Sequence, residues 1–221
     1  MIIYCLIPAR RGSKRIKNKN LILLNGKPLI TISVESALRT KLINKTFVST
    51  NDAKIIKKVN KKAFIIKRPN NISKDNSTTE QAISHFINYL KKNKIILPDI
   101  IVLLQCTSPF REKKDIHLSI QHLIRNKLDS LFSGCTNKNL FWIINKSKLQ
   151  PINYDPKKRL REQTMKDQFI ENGSIFVFKT KGFVKNKCRI FGKVGIYIMK
   201  RENSFQIDDP QDIDFIKKIK R

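Results

Sequence analysis

A chain of 221 residues, 40% of them hydrophobic, is long enough to bury one sizeable core and short enough to be a single domain. Apolar residues recur in short runs along its whole length, which argues against a disordered chain, and no run approaches the roughly 18 to 20 apolar residues of a membrane span. The formal charge of +29 at pH 7 alone would point to a nucleic acid or an anionic membrane, but the lysines that carry it are scattered throughout and read as solvated surface.

The chain opens on a continuous apolar run at residues 2–7, closed by Pro8, which predicts a strand buried on both faces of a parallel sheet. That run is too short for a signal segment and has no basic residues ahead of it, so a cytoplasmic protein is expected. Similar runs follow at 46–49, 63–66, 100–104 and 130–132, and the helical patterns between most of them predict βαβ units. Ile83, Phe86, Ile87 and Leu90 form one apolar helix face, and Ile116, Ile120, Leu123 and Ile124 form another. Ser77-Thr-Thr-Glu80 fits a capping box at the start of the first of these helices, with Ser77 as the N-cap. From about 137 to 168 the pattern breaks into a polar stretch that reads as an insertion leaving the sheet. Order returns at 173–178 and 194–199, and a closing helix begins near Pro210 with Ile213, Ile216 and Ile219 on its apolar face.

Four dispersed cysteines form no C-x-x-C pair, and His117 and His122 stand five apart, about 140° around a helix, so neither zinc nor dithiol chemistry is indicated. Ligands of open α/β sheets bind beyond the carboxyl ends of the strands, which directs attention to four loops. The loop at 9–20 surrounds Gly12 and Ser13 with cations and suits a triphosphate, although it is not a Walker loop. The loop from Arg68 to Thr79 carries an arginine and small polar residues. Gln105, Thr107, Ser108 and Arg111 follow the strongest apolar run, the last two better read as a turn and helix start. Asp208 and Asp209 offer hard oxygen ligands of the kind Mg²⁺ takes beside phosphates.

Four stretches, Ile7-Pro-Ala-Arg-Arg-Gly-Ser-Lys-Arg-Ile-Lys-Asn-Lys-Asn20, Leu103-Leu-Gln-Cys-Thr-Ser-Pro-Phe-Arg111, Glu171-Asn-Gly-Ser-Ile175 and Phe205-Gln-Ile-Asp-Asp209, resemble the CMP-sialic acid synthetases, or acylneuraminate cytidylyltransferases. The resemblance spans nearly the whole chain. It implies an α/β, Rossmann-like nucleotide-diphosphosugar transferase fold over residues 1–221, with a mostly parallel sheet, helices on both faces and an inserted dimerisation arm within 137–170. It also implies CTP and a nine-carbon acidic sugar as substrates, Mg²⁺, pyrophosphate release and a homodimer, with no nucleic-acid or membrane partner.

By the same resemblance, Arg10, Ser13 and Lys19 fall at triphosphate-binding positions, Lys19 with Arg10 in the catalytic role, and Asn20 contacts the nucleotide. Arg68, Ser77 and Thr79 read the base, while Gln105, Thr107, Arg161 and Phe176 contact the sugar. Asp208 holds the metal; Asp209 joins it or caps the last helix. The chain departs from the family pattern of two aspartates flanking one hydrophobic residue, because Gln206 takes the first position. Phe176 stands where many sialic acid enzymes carry tyrosine, so legionaminic and pseudaminic acid compete with N-acetylneuraminic acid as substrate. A cytidylyltransferase for the eight-carbon sugar Kdo and a basic nucleic-acid-binding protein are the alternative readings. Cys106, where the family usually has proline, reads as packing.

Overall fold

The computed structural model describes residues 1–59 and 61–219; the side chains of Ile216 and Ile219 lie outside the described residues. In chain order the elements are β1 (Ile3–Pro8), β2 (Leu23–Leu24), β3 (Lys27–Pro28), α1 (Leu29–Leu38), β4 (Lys45–Thr50), α2 (Ala53–Val59), β5 (Phe64–Lys67), α3 (Thr79–Lys92), β6 (Ile100–Leu104) and α4 (Lys113–Arg125). There follow β7 (Ser130–Asn137), β8 (Trp142–Asn145), β9 (Lys148–Pro151), β10 (Gln168–Lys179), α5 (Thr180–Asn186), β11 (Val194–Ile198) and α6 (Pro210–Ile219).

Among the described residues, seven strands form one sheet in the order β11-β7-β10-β6-β1-β4-β5, and β10 alone runs against its neighbours. The period of two along each strand splits the core. Ile3, Cys5 and Ile7 of β1 meet α1, α2 and α4 on one face, while Tyr4 and Leu6 meet α3 and Phe183 of α5 on the other. Both faces are covered, which is why the strands read as unbroken apolar runs. The apolar face expected on α3 is buried in full; on α4, Ile116, Ile120 and Leu123 are buried, but Ile124 is 37% exposed at the rim.

Two strands run longer than the apolar runs that announce them. β7 continues to Asn137 and β10 begins at Gln168, because Phe169 and Ile170 pair with Thr136 and Cys135 ahead of an irregularity between Glu171 and Phe176. Asn172 holds that irregularity: its Oδ1 accepts from Ser133 Oγ at 2.6 Å and Ser174 N at 3.1 Å, and its Nδ2 donates to Ser204 Oγ at 2.9 Å. The stretch after β7 does leave the main sheet, and it folds part of itself into the separate β8–β9 hairpin. Its turn places Lys146 and Ser147 at positive φ without a glycine, so the usual hairpin signal is missing from the sequence. Among the described residues no helix is long and apolar enough to cross a membrane.

The α3 cap falls one residue later than the sequence predicts. Thr78, not Ser77, accepts from the N–H of Gln81 and Gln81 answers at the Thr78 N–H, while Glu80 turns away to pair with Arg189. Ser77 Oγ instead accepts from Lys74 N. Thr78→Ala is therefore expected to cost about 1 kcal/mol in urea unfolding, with Ser77→Ala costing clearly less; the opposite ranking would restore the earlier cap.

Candidate functional site

The loop after β1 is tied down at several points. Ala9 N donates to Ser49 O at 2.9 Å, Gly12 turns the chain at φ +78°, and Ile16 is buried in the core, so the polar residues between are presented rather than loose. Asn20 Nδ2 donates to Arg10 O at 3.1 Å and folds the end of the loop back on its start. Arg10 Nη1 lies 2.9 Å from Asp75 Oδ1 and Lys14 Nζ lies 3.2 Å from Asp75 Oδ2. One carboxylate from the 68–79 loop thus clasps two cations of the 9–20 loop.

Arg68 leaves the end of β5 and is buried; its Nη2 donates to Ser49 O at 2.9 Å. Burial, with the charge of Arg10 added, lowers its guanidinium to about 10, so it stays protonated at neutral pH. Between these loops and the end of β6 opens a cleft of about 180 Å³ lined by Pro8, Arg10, Asn20, Arg68, Ser77, Thr78, Thr79, Gln105, Cys106 and Thr107. It sits beyond the carboxyl ends of β1 and β6, where the strand order reverses direction around β1, the place where open α/β sheets bind ligands. Arg68 Nε and Thr107 Oγ1 are buried there and, among the described residues, find no hydrogen-bond partner. Orphaned polar atoms are costly, so a ligand that met them would gain their full hydrogen bonds.

The β6 side of the cleft is held by Arg111. Arg111 is 4% exposed, and its guanidinium donates to Ser174 O and Ser33 Oγ, each at 2.7 Å, and to Gln105 O. Ser108 Oγ donates to Asn172 O at 3.3 Å. Both residues thus act in the framework, as their turn-and-helix reading expects. Cys106 is buried and its thiol is pushed up to about 11, chiefly by burial, which rules out a thiolate nucleophile near neutral pH.

Lys19 begins a 3-10 turn and is only 8% exposed, with Nζ 2.9 Å from Asp208 Oδ1. Asp209 faces Arg15 at 3.4 Å, while Asp212 Oδ2 accepts the N–H groups of Asp208 and Asp209 and closes the start of α6. Among the described residues, no three His, Cys, Asp or Glu side chains gather as a metal cage. Mg²⁺ beside a nucleotide needs no such cage, since one or two carboxylates suffice when phosphate and water complete the shell. Half-exposed Asp208 fits that demand.

The cleft therefore brings together Arg10, Asn20, Arg68, Ser77, Thr79, Gln105 and Thr107, with Lys19 and Asp208 paired to each other. Ser13 stands half-buried on the loop outside the cleft lining, and Arg161 is exposed between β9 and β10. Phe176 requires a correction: it is 1% exposed in the core beneath α3, with Arg189 stacked 4.5 Å above its ring, so its surface is spent on packing rather than on a ligand. Asp75 and Thr78 were missed. An acid inside the loop that faces a row of cations was the legible sign of the first.

The cytidylyltransferase family profile matches residues 4–221. The chain belongs to the cytidylyltransferase family. Within and around that family, it is similar to N-acylneuraminate cytidylyltransferase A of Danio rerio, at 32% identity over 218 residues, covering 96% of this chain and 49% of that protein. It is 28% identical over 220 residues to pseudaminic acid cytidylyltransferase of Campylobacter jejuni subsp. jejuni serotype O:23/36, covering 96% of this chain and 94% of that one. The chain thus spans about half the length of the first relative and nearly all of the second. Its fold is similar to a CMP:2-keto-3-deoxy-manno-octonic acid synthetase complexed with CTP, with a TM-score of 0.71 at 17% identity, covering 100% of this chain and 98% of that one.

Lys14 first, and Arg10 with it, hold the Asp75 carboxyl below its ordinary value of 3.8. A carboxylate depressed in the folded state contributes at pH values above its unfolded value, and the clasp is lost as pH falls through the lowered one. A carbon-detected NMR titration should give Asp75 a midpoint below 3.8, and Lys14→Ala should move it upward; a midpoint at or above 3.8 in the unmodified chain would exclude the clasp.

Proposed function

We propose that this protein transfers CMP from CTP to the anomeric hydroxyl of a nine-carbon α-keto acid sugar and releases pyrophosphate. The observation that carries the reading is the convergence of Arg10, Asn20, Arg68, Ser77, Thr79, Gln105 and Thr107 on one cleft in a member of the cytidylyltransferase family. These residues come from three separate stretches of sequence and meet at the switch point of the sheet.

The sugar hydroxyl attacks the α-phosphorus, the bond to the β-phosphate oxygen breaks, and the hydroxyl proton passes to solvent. Alignment and charge neutralisation supply most of the catalysis in such a step, and no protein nucleophile is needed. Arg10, Ser13 and Lys19 hold the triphosphate, and Lys19 stabilises charge growing at the α-phosphate. Arg68, Ser77 and Thr79 face the cytosine; buried Arg68 supplies fixed donors and Ser77 a hydroxyl free of the helix cap. Gln105, Thr107 and Arg161 are assigned to the sugar, with Arg161 brought in on the 137–170 arm. Asp208 would hold Mg²⁺, which supplies charge neutralisation on the phosphates when bound.

The arm also supports a homodimer. Trp142, Ile143, Leu149 and 73%-exposed Ile144 present apolar surface on the β8–β9 hairpin, away from the core, and a second copy would cover it. A reaction fed by CTP fits the cytoplasm. Pseudaminic acid has one specific point in its favour as acceptor: the relative named for it is matched nearly end to end.

Pyrophosphate release with CTP and Mg²⁺ against N-acetylneuraminic, legionaminic, pseudaminic and Kdo sugars tests the reading. Selective turnover of a nine-carbon acid upholds it, turnover of Kdo alone replaces the acceptor, and no release overturns the reaction. Lys19→Ala should lower kcat by about 100- to 1,000-fold while the melting temperature changes little, and near-normal kcat would remove its role. Asp208→Asn should raise the Mg²⁺ concentration needed for half-maximal rate; an unchanged titration would exclude it as a ligand.

A further inference from the structure

Gly173 sits in the irregular part of β10 at φ +59°, a conformation glycine adopts without strain. A β-carbon there would stand 3.2 Å from both Nε2 and Oε1 of Gln206 and 3.3 Å from Oε1 of Gln105. Two carboxamides therefore close over one residue without a side chain, at the edge of the cleft that Gln105 lines.

Gln206 is held there by its neighbours. Ile207 is buried in the core and its N–H donates to Thr107 O at 2.8 Å; Ser204 Oγ accepts from Asn172 Nδ2 at 2.9 Å; Asp208 is paired with Lys19. With Ile207 turned inward, the residue before it faces the other way, onto Gly173. The segment 204–208 is thus fixed across the ends of β6 and β10, and Gln206 is its projecting side chain.

We infer that Gln206 is a specificity-determining residue for the acceptor sugar, acting with Gln105 as a pair of neutral amides that bind its polar substituents. The inference rests on the reaction proposed above. A carboxamide both donates and accepts, so it suits hydroxyl or acylamino groups. It also carries no charge, so it offers the acceptor hydrogen bonds without drawing a divalent cation to this position as an aspartate would. Because Gly173 has no side chain, the two amides come close together at the edge of the cleft, where one substituent can meet both. This position, where the family pattern has an aspartate, then serves the sugar and leaves the metal to Asp208.

The test separates binding from turnover. In steady-state assays, Gln206→Ala should raise the acceptor KM about fivefold to tenfold, the loss of one or two uncharged hydrogen bonds, while kcat, the CTP KM and the Mg²⁺ titration stay within about twofold. Gln206→Asp removes the amide donor and keeps only oxygen acceptors, so it should raise the acceptor KM as well. An unchanged acceptor KM in both variants, or a CTP KM that rises in parallel, overturns the inference. Saturation-transfer NMR of N-acetylneuraminic and pseudaminic acids, with CTP present and Mg²⁺ chelated, reads the same contact without chemistry. Loss of sugar signal in Gln206→Ala with retained CTP signal upholds the inference even if the unmodified protein releases no pyrophosphate, in which case the reaction alone fails. Equal sugar signal, or no sugar signal from the unmodified protein, overturns it.

Discussion

Arg111 places a cation inside the sheet's ligand-binding end, and the surroundings answer with carbonyl and hydroxyl oxygens rather than with a directly bonded carboxylate. Taking a guanidinium out of water costs several kcal/mol unless its donors are met, and burial lowers it to about 10. The acceptors come from three places: Gln105 after β6, Ser174 in β10, and Ser33 in α1. Any movement of one segment strands a buried donor. The interaction therefore sets the spacing between the β6 loop and β10, and with it the position of Gln105 in the cleft and of Gly173 beside it.

β10 is the strand on which this arrangement turns. It is the one member of the sheet that opposes its neighbours, and its pairing with β7 shifts between Glu171 and Phe176. Asn172 satisfies the backbone and hydroxyl groups that the shift leaves behind, reaching Ser133 on one side and Ser204 on the other. The irregularity is thus built into both neighbouring segments, and it carries the chain from a regular core pair, Ile175 and Val177, to the exposed pair Phe169 and Ile170.

The parallel half of the sheet was legible because strands covered on both faces must be apolar throughout, and β1, β4 and β6 announce themselves that way, while the edge strand β5 carries the same apolar run with Phe64 exposed. The loops that end β1, β5 and β6 were legible for a related reason: runs of polar residues after buried strands have to face a cleft or solvent. What was not legible depended on contacts distant in sequence. Ser77 and Thr78 are equal candidates for the α3 cap, each with a suitable partner three residues on, and the choice falls to Thr78 while Glu80 is bound to Arg189, far along the chain. Phe176 was legible by the first rule, since it stands in the apolar run 173–178 of a strand buried on both faces, and the sugar contact assigned to it set that pattern aside. The β8–β9 hairpin turns on two non-glycine residues at positive φ, so its turn residues carry no signal.

The clasp of Asp75 on Arg10 and Lys14 changes what the large positive charge means. An anion entering between the two loops does not find bare cations surrounded by loosely held salt ions. It finds two cations that share one tethered carboxylate, and to take Arg10 for itself it competes with that carboxylate. Entry is then an exchange of one anion for another, in which the protein's own acid is the leaving ion and returns when the site empties. Fewer mobile ions are then released at Arg10 and Lys14 than two bare cations would shed, so this pair adds less to the salt dependence of binding than its charge of two suggests.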